Sequence, residues 1–268
     1  MRRQNQLLGS RARVKDRYAL IPLEGIPFSR LPEWPRAQVQ VLAAPSLGAD
    51  FAQYRIELDP ETFGEHPVDG ETEHFLFILS GDAELRIEQY APEDESAAEI
   101  EDEPAKTSSH SLAPGGYALI PPTAGYRLTA RTGVTLLLLR KLYEPVPGVP
   151  LFDPVVGNEN EVKGEVYLGD EGAHLQSLIP DEFAFDMAMN IFTFETGHSL
   201  PVTETHVMEH GLYVLAGKGL YYLDDTWMEV EQDDFIWMGP FCPQSYYATG
   251  PTPTRYLYYK NVNREIEL

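Results

Sequence analysis

The sequence predicts an all-β chain built from two copies of one barrel. Helix signals are scarce, and short β-rich runs recur between glycine and proline punctuation. One half of the chain also repeats the pattern of the other, which at this period means a duplicated domain rather than a solenoid of short units. In order along the chain, residues 51–58, 74–79, 116–121 and 134–140 read as strands of the first copy. Residues 188–194, 211–215, 234–238 and 255–260 read as strands of the second.

The internal match is clearest where Glu73-His74 opens an apolar run ending at Gly81 and Glu209-His210 opens one ending at Gly217. The histidine-to-glycine spacing is the same in both. Downstream, residues 114–121 match residues 232–239, and each copy closes on an apolar strand ending in basic residues. Four prolines in residues 144–154 suit an extended connector. The expected division is therefore an N-terminal arm and first barrel over residues 1–148 and a second barrel over 149–268, with the arm crossing to a neighbouring molecule. Residues 91–109 read as an insertion at a hairpin tip of the first copy, where extra length costs little.

Charge narrows the function. The formal net charge is −22, from 42 acidic and 20 basic residues. Seven of the acids form one run (Glu93, Asp94, Glu95, Glu99, Glu101, Asp102 and Glu103), which reads as a solvated loop. Without them the charge is still −15, so polyanions are repelled and neither nucleic acid nor anionic membrane is an expected partner. The first ten residues are basic without an apolar stretch, and no apolar run reaches membrane-spanning length. The one cysteine, Cys242, excludes an intramolecular disulfide and suits a reducing compartment, so cytoplasm is the expectation.

Residues 203–211 carry the chemistry. In an extended strand, side chains two and four apart share a face, so Glu204, His206 and His210 project together and Glu209 projects away. Two imidazoles and a carboxylate meeting at one point suit a divalent cation of the manganese or ferrous type. The lack of nearby thiolates other than Cys242 argues against structural zinc. Tyr256, Tyr258 and Lys260 likewise share one strand face, and a lysine aimed into an aromatic interior is costly unless it meets an anion. Parity places Cys242 on the face of Gln244, as pocket wall. His66, His110, His174 and His198 fall in loop-like segments.

These residues resemble the cupin superfamily, whose first motif is usually written His-x-His, three or four residues, Glu, six residues, Gly. Here the order is permuted to Glu204-x-His206, three residues, His210, six residues, Gly217. Gln244 stands where the second cupin motif places its last histidine. That combination, with the residue 259–266 ending, is similar to the (S)-ureidoglycine aminohydrolase family of purine and allantoin breakdown. The resemblance runs from residue 45 to the C-terminus.

It implies a bicupin, two double-stranded β-helix (jelly-roll) barrels in one chain, associating as a homo-oligomer. It implies that Mn²⁺, with Fe²⁺ or another divalent metal as alternatives, is held by Glu204, His206, His210 and Gln244. It implies that Tyr221, Tyr256 and Lys260 line the pocket of a small-molecule substrate. The chemistry of these parts then sets Lys260 against the substrate carboxylate and makes Glu204 the candidate for handling protons. Tyr221 and Tyr256 are the alternatives for that last role. The implied reaction is hydrolysis of (S)-ureidoglycine to (S)-ureidoglycolate and ammonia. Two other readings suit the same barrel: a manganese or iron oxidase or dioxygenase of a small acid, and a non-catalytic cupin that binds a small acid. The first copy has Val68, Gly70 and Tyr126 opposite Glu204, His206 and Gln244. It keeps only His74, and reads as a metal-free packing partner with a structural histidine.

Overall fold

Thr72–Ser80 and His210–Ala216, the runs that the sequence aligns, occupy equivalent places in two barrels. In the first, His74 lies opposite Ile120 on one side and Arg140 on the other. In the second, His210 lies opposite Met238 and Lys260 in the same sense. The shared spacing to glycine has a steric origin. Gly81 and Gly217 adopt φ of +82° and +79°, where L side chains are strained, and a Cβ at either would strike backbone oxygen, of Gly133 or Pro253 respectively.

A computed structural model describes residues 10–90 and 104–262, and these form two compact units. The first unit pairs a seven-stranded sheet with a four-stranded one. The larger runs Val155–Asn158, Gly116–Ile120, Thr72–Ser80, Val134–Leu142, Ala52–Leu58, Trp34–Ala43, Phe28–Leu31. The smaller runs Phe63–His66, Ala124–Ala130, Ala83–Gln89, Lys106–Leu112. One buried cluster joins them, with Ile56, Leu76 and Leu138 from the larger sheet meeting Leu85, Ile87 and Leu128 from the smaller. Burial of such side chains on facing sheets is the main favourable term in a β-barrel of this kind.

The second unit repeats the plan. Its eight-stranded sheet runs Arg13–Val14, Tyr18–Pro22, Asp234–Met238, His210–Ala216, Thr254–Asn261, Met187–Phe194, Asp170–Ser177, Glu165–Tyr167. The facing sheet runs Thr226–Glu231, Lys218–Leu223, Gln244–Ala248. Leu212, Val214 and Ile236 pack against Tyr221, Leu223 and Tyr246 across the interior. All eight strands expected from the sequence form, and the fold is the two-barrel jelly-roll arrangement.

Several boundaries differ from expectation. The division does not fall at residue 148, because Val155–Asn158 pairs with Gly116–Ile120 of the first barrel, and the second unit takes over at Val162. The connector 144–154 is irregular, as its prolines predict. Residues 10–27 group with the second unit rather than with the first barrel. Tyr18–Pro22 adds as a strand to Asp234–Met238, and Arg11 clamps the buried Asp234 carboxylate, with 2.9 Å from Nη2 to Oδ1. The acidic run lies outside the described residues. Its C-terminal flank does not: Lys106–Leu112 forms a full strand against Ala83–Gln89, so residues 106–109 are sheet and not insertion. His66, His110 and His174 likewise lie in strands rather than loops. Among the described residues, no helix is long and apolar enough to cross a membrane.

Candidate metal and substrate site

The second barrel holds a cavity of about 130 Å³ lined by Glu204, His206, His210, Tyr221, Gln244, Tyr256 and Lys260, the residues expected as cation ligands and substrate contacts. Tyr167, Phe192, Leu200, Leu212, Met238 and Tyr258 complete the wall. That volume is well below the ~300 Å³ at which pockets begin to take drug-sized ligands. It suits a small polar molecule.

The route by which Glu204 and His206 arrive differs from the expected strand. Only an isolated bridge joins Glu204 to Gln244, with reciprocal bonds from Glu204 N to Gln244 O (2.8 Å) and from Gln244 N to Glu204 O (2.9 Å). Continuous pairing begins at His210. In between, the backbone finds other partners: Glu209 N donates to Asn261 Oδ1 at 2.7 Å, and His206 O accepts from Phe241 N at 2.7 Å. Glu209 points away from the cavity, as parity suggested, and accepts from Trp237 Nε1 at 3.1 Å.

The two imidazoles are fixed by their far nitrogens. Nδ1 of His206 faces Met208 O at 3.2 Å, and Nδ1 of His210 faces Tyr259 O at 3.1 Å. A carbonyl only accepts, so each Nδ1 carries the proton and each Nε2 presents a lone pair. Burial pulls His210 down to about 3 and, with the nearby Lys260 cation, pulls His206 below its ordinary value. Both rings are therefore neutral at pH 7. Their Nε2 atoms face one another at 3.2 Å. Two lone pairs at that separation repel unless a proton or a cation sits against them, and ligands of one ion at ~2.1 Å each stand at about this spacing.

The other two members of the quartet lie close but are turned elsewhere. Gln244 Nε2 lies 3.3 Å from His206 Nε2, while its Oε1 accepts from the Tyr221 hydroxyl at 2.9 Å. A half-turn of the amide would present oxygen to the imidazoles and NH₂ to a tyrosine oxygen that accepts as readily as it donates. Glu204 Oε1 accepts from the Tyr167 hydroxyl at 2.8 Å. Among the described residues, no three His, Cys, Asp or Glu side chains already stand together as a metal-holding group. The donor set nevertheless fits a divalent cation: two oriented imidazoles, with an amide and a carboxylate lining the same cavity.

On the strand next to His210, where Lys260 is its direct pairing partner, Tyr256, Tyr258 and Lys260 all line the cavity. Among the described residues, no carboxylate pairs with the Lys260 ammonium. Burial raises the hydroxyls of Tyr221, Tyr256 and Tyr258 above the usual phenol range. They stay protonated, and Glu204 is the carboxylate among the lining residues. Cys242 packs in the buried cluster beneath and is not part of the cavity wall.

Sequence reasoning assigned no role to Tyr167 or Tyr258. Tyr258 had a signal, because it alternates with Tyr256 and Lys260, and its hydroxyl accepts from Asn190 Nδ2 at 3.2 Å. Tyr167 had none, because Glu165–Tyr167 is too short for periodicity to register.

In the first barrel, Tyr126 takes the place of Gln244, and its hydroxyl lies 3.0 Å from His74 Nδ1. Thr72 Oγ1 sits 3.3 Å from His74 Nε2. Both nitrogens of His74 therefore already have protein partners.

Fold and site together define a two-barrel cupin, and residues 190–259 match the family described as the cupin domain. In the second barrel that domain carries a permuted Glu-His-His set with glutamine. The chain belongs to the (S)-ureidoglycine aminohydrolase family and is an enzyme. It is 31% identical to (S)-ureidoglycine aminohydrolase of Escherichia coli strain K12, over 99% of this chain and 96% of that protein. It is 32% identical to (S)-ureidoglycine aminohydrolase of Arabidopsis thaliana, over 95% of this chain and 79% of that one. Among solved structures, a protein from Pseudomonas aeruginosa is 37% identical with a TM-score of 0.82, covering 98% of this chain and 94% of its own. Protein Ylba from E. coli is 29% identical with a TM-score of 0.78 and 98% coverage of both. Oxalate decarboxylase of Bacillus subtilis, at 12% identity and a TM-score of 0.69 over 96% of this chain and 80% of that one, shares the fold alone.

Proposed function

We propose that this enzyme hydrolyses (S)-ureidoglycine to (S)-ureidoglycolate and ammonia, using Mn²⁺ or a similar divalent cation held by Glu204, His206, His210 and Gln244. The observation that carries the reading is the polarity of the cavity. Two oriented imidazole lone pairs and the Lys260 ammonium, which has no carboxylate partner among the described residues, face the same small space. A substrate with a carboxylate and further polar atoms on the same carbon would span them.

When bound, the cation would supply a fixed positive charge that orients the substrate and draws electron density from its polar atoms. Lys260 pairs with the substrate carboxylate, and the tyrosine walls limit its rotation. Glu204 accepts the proton from the ureido N–H as the carbon–nitrogen bond to the amino group breaks. That proton leaves with the amino group, as ammonia. Water then adds across the resulting C=N bond: its oxygen goes to carbon and its proton returns to the ureido nitrogen, giving the hydroxy acid. The enclosing aromatic side chains Phe192, Tyr221 and Tyr256 keep bulk water from competing with this sequence.

The names of the relatives support the substrate, and the low cysteine content supports a cytoplasmic setting. The acidic surface suits a small-molecule partner rather than a polyanion, and a homo-oligomer is part of the same reading. The test is ammonia release from freshly generated ureidoglycine by Mn²⁺-loaded protein, read against the spontaneous background with dissolved O₂ monitored. Acceleration without O₂ uptake is expected. O₂ uptake would favour an oxidase or dioxygenase, and no acceleration would remove the assignment.

A further inference from the structure

Tyr167 is engaged with the one carboxylate the site needs. Its hydroxyl donates to Glu204 Oε1 at 2.8 Å, from the outermost strand of the eight-stranded sheet. That strand, Glu165–Tyr167, has three residues, its register to Asp170–Ser177 shifts at Val166/Tyr167, and it turns at Leu168 and Gly169 with positive φ. The ring is held from inside the barrel by Phe192, edge to face at 4.8 Å. With Glu204 turned to Tyr167, the imidazole pair lacks a third His, Cys, Asp or Glu partner among the described residues.

We propose that Tyr167 is a positioning residue that competes with the bound cation for Glu204. Resting on the metal reading of the same cavity, the carboxylate has two berths: on the cation beside His206 and His210, and on the Tyr167 hydroxyl. In the second berth it is off the cation and free to take the substrate's proton. A hydrogen bond from a neutral donor to a carboxylate is strong enough to populate that berth and weak enough to release it. The arrangement explains why a hydroxyl on a short edge strand reaches into a metal-type pocket. Phe192 already supplies the packing that a phenylalanine at 167 would retain.

The experiment is a Mn²⁺ titration of the full chain, following the loss of the free-Mn²⁺ electron paramagnetic resonance signal, for four proteins: wild type, Tyr167→Phe, Glu204→Gln and the double variant. Removing the competing donor is expected to tighten Mn²⁺ binding by about three- to tenfold in Tyr167→Phe while lowering turnover. In the Glu204→Gln background the same substitution is expected to leave affinity unchanged. Loss of packing can weaken a site but does not tighten it, so tighter binding separates competition from a structural role. Unchanged or weaker binding in Tyr167→Phe, or tightening that persists in the Glu204→Gln background, would overturn the proposal and leave the metal reading intact. Failure of the wild type to bind Mn²⁺, Fe²⁺ or Zn²⁺ would remove both.

Discussion

His206 Nε2 and His210 Nε2 face each other at 3.2 Å, each held there by a backbone carbonyl on the opposite nitrogen. This pairing is stable only when something positive sits against both lone pairs. Replacing either histidine by alanine should weaken Mn²⁺ binding by more than the ~10–100-fold typical of losing a supporting partner. Titration calorimetry on the folded variants checks it, and binding within a few-fold of wild type would mean the cation sits elsewhere.

The proposed function asks Glu204 both to hold the cation and to move a proton, and the two roles come apart on substitution. Glu204→Gln keeps an oxygen donor but cannot accept a proton at neutral pH. Turnover should fall by about 10²–10⁴-fold while bound metal falls far less. Parallel loss of metal and activity would make Glu204 a ligand only.

Lys260 stands on the cavity wall without a carboxylate among the described residues to neutralise it. Lys260→Met preserves the length of the side chain and removes the charge. It should lower kcat/KM by roughly 10²–10³-fold, the effect of stripping one partner from a desolvated ion pair, with metal content unchanged. Lys260→Arg should recover part of the loss. Steady-state kinetics beside elemental analysis reads both.

The buried Asp234 carboxylate, 1% exposed, depends on Arg11 in the arm. Arg11→Ala leaves that charge uncompensated and should cost about 3 kcal/mol. Urea denaturation of the full chain measures it, and a change below about 0.5 kcal/mol would show that the strand pairing alone holds the arm.

His74 provides a pH signature in the first barrel. Burial, then the neighbouring His66 and Arg140, hold it well below its ordinary 6.5, with Asp69 opposing. The unfolded chain therefore binds the proton more readily, and stability that is full above pH 6.5 is lost as pH falls below it. The slope from this one group approaches about 1.4 kcal/mol per pH unit. Denaturation between pH 7 and 5 should show that dependence, and His74→Gln should flatten it whatever it does to stability at pH 7.

The sequence determined the duplicated β-fold, because apolar alternation and the His-to-Gly spacing are local quantities. It also named all four proposed cation ligands and three further pocket residues. It misjudged how Glu204 and His206 arrive: parity assumes a continuous strand, and the chain instead donates from Glu209 N to Asn261 and accepts at His206 O from Phe241 N. It placed the division at residue 148, since strand pairing between residues far apart leaves no local mark. Tyr167 was invisible for the same reason. Its distance from Glu204 in sequence carries no signal, and only closure of the barrel brings hydroxyl and carboxylate to 2.8 Å. Side-chain chemistry is written along the chain, whereas which groups share one small, dry space is decided by how the sheets close.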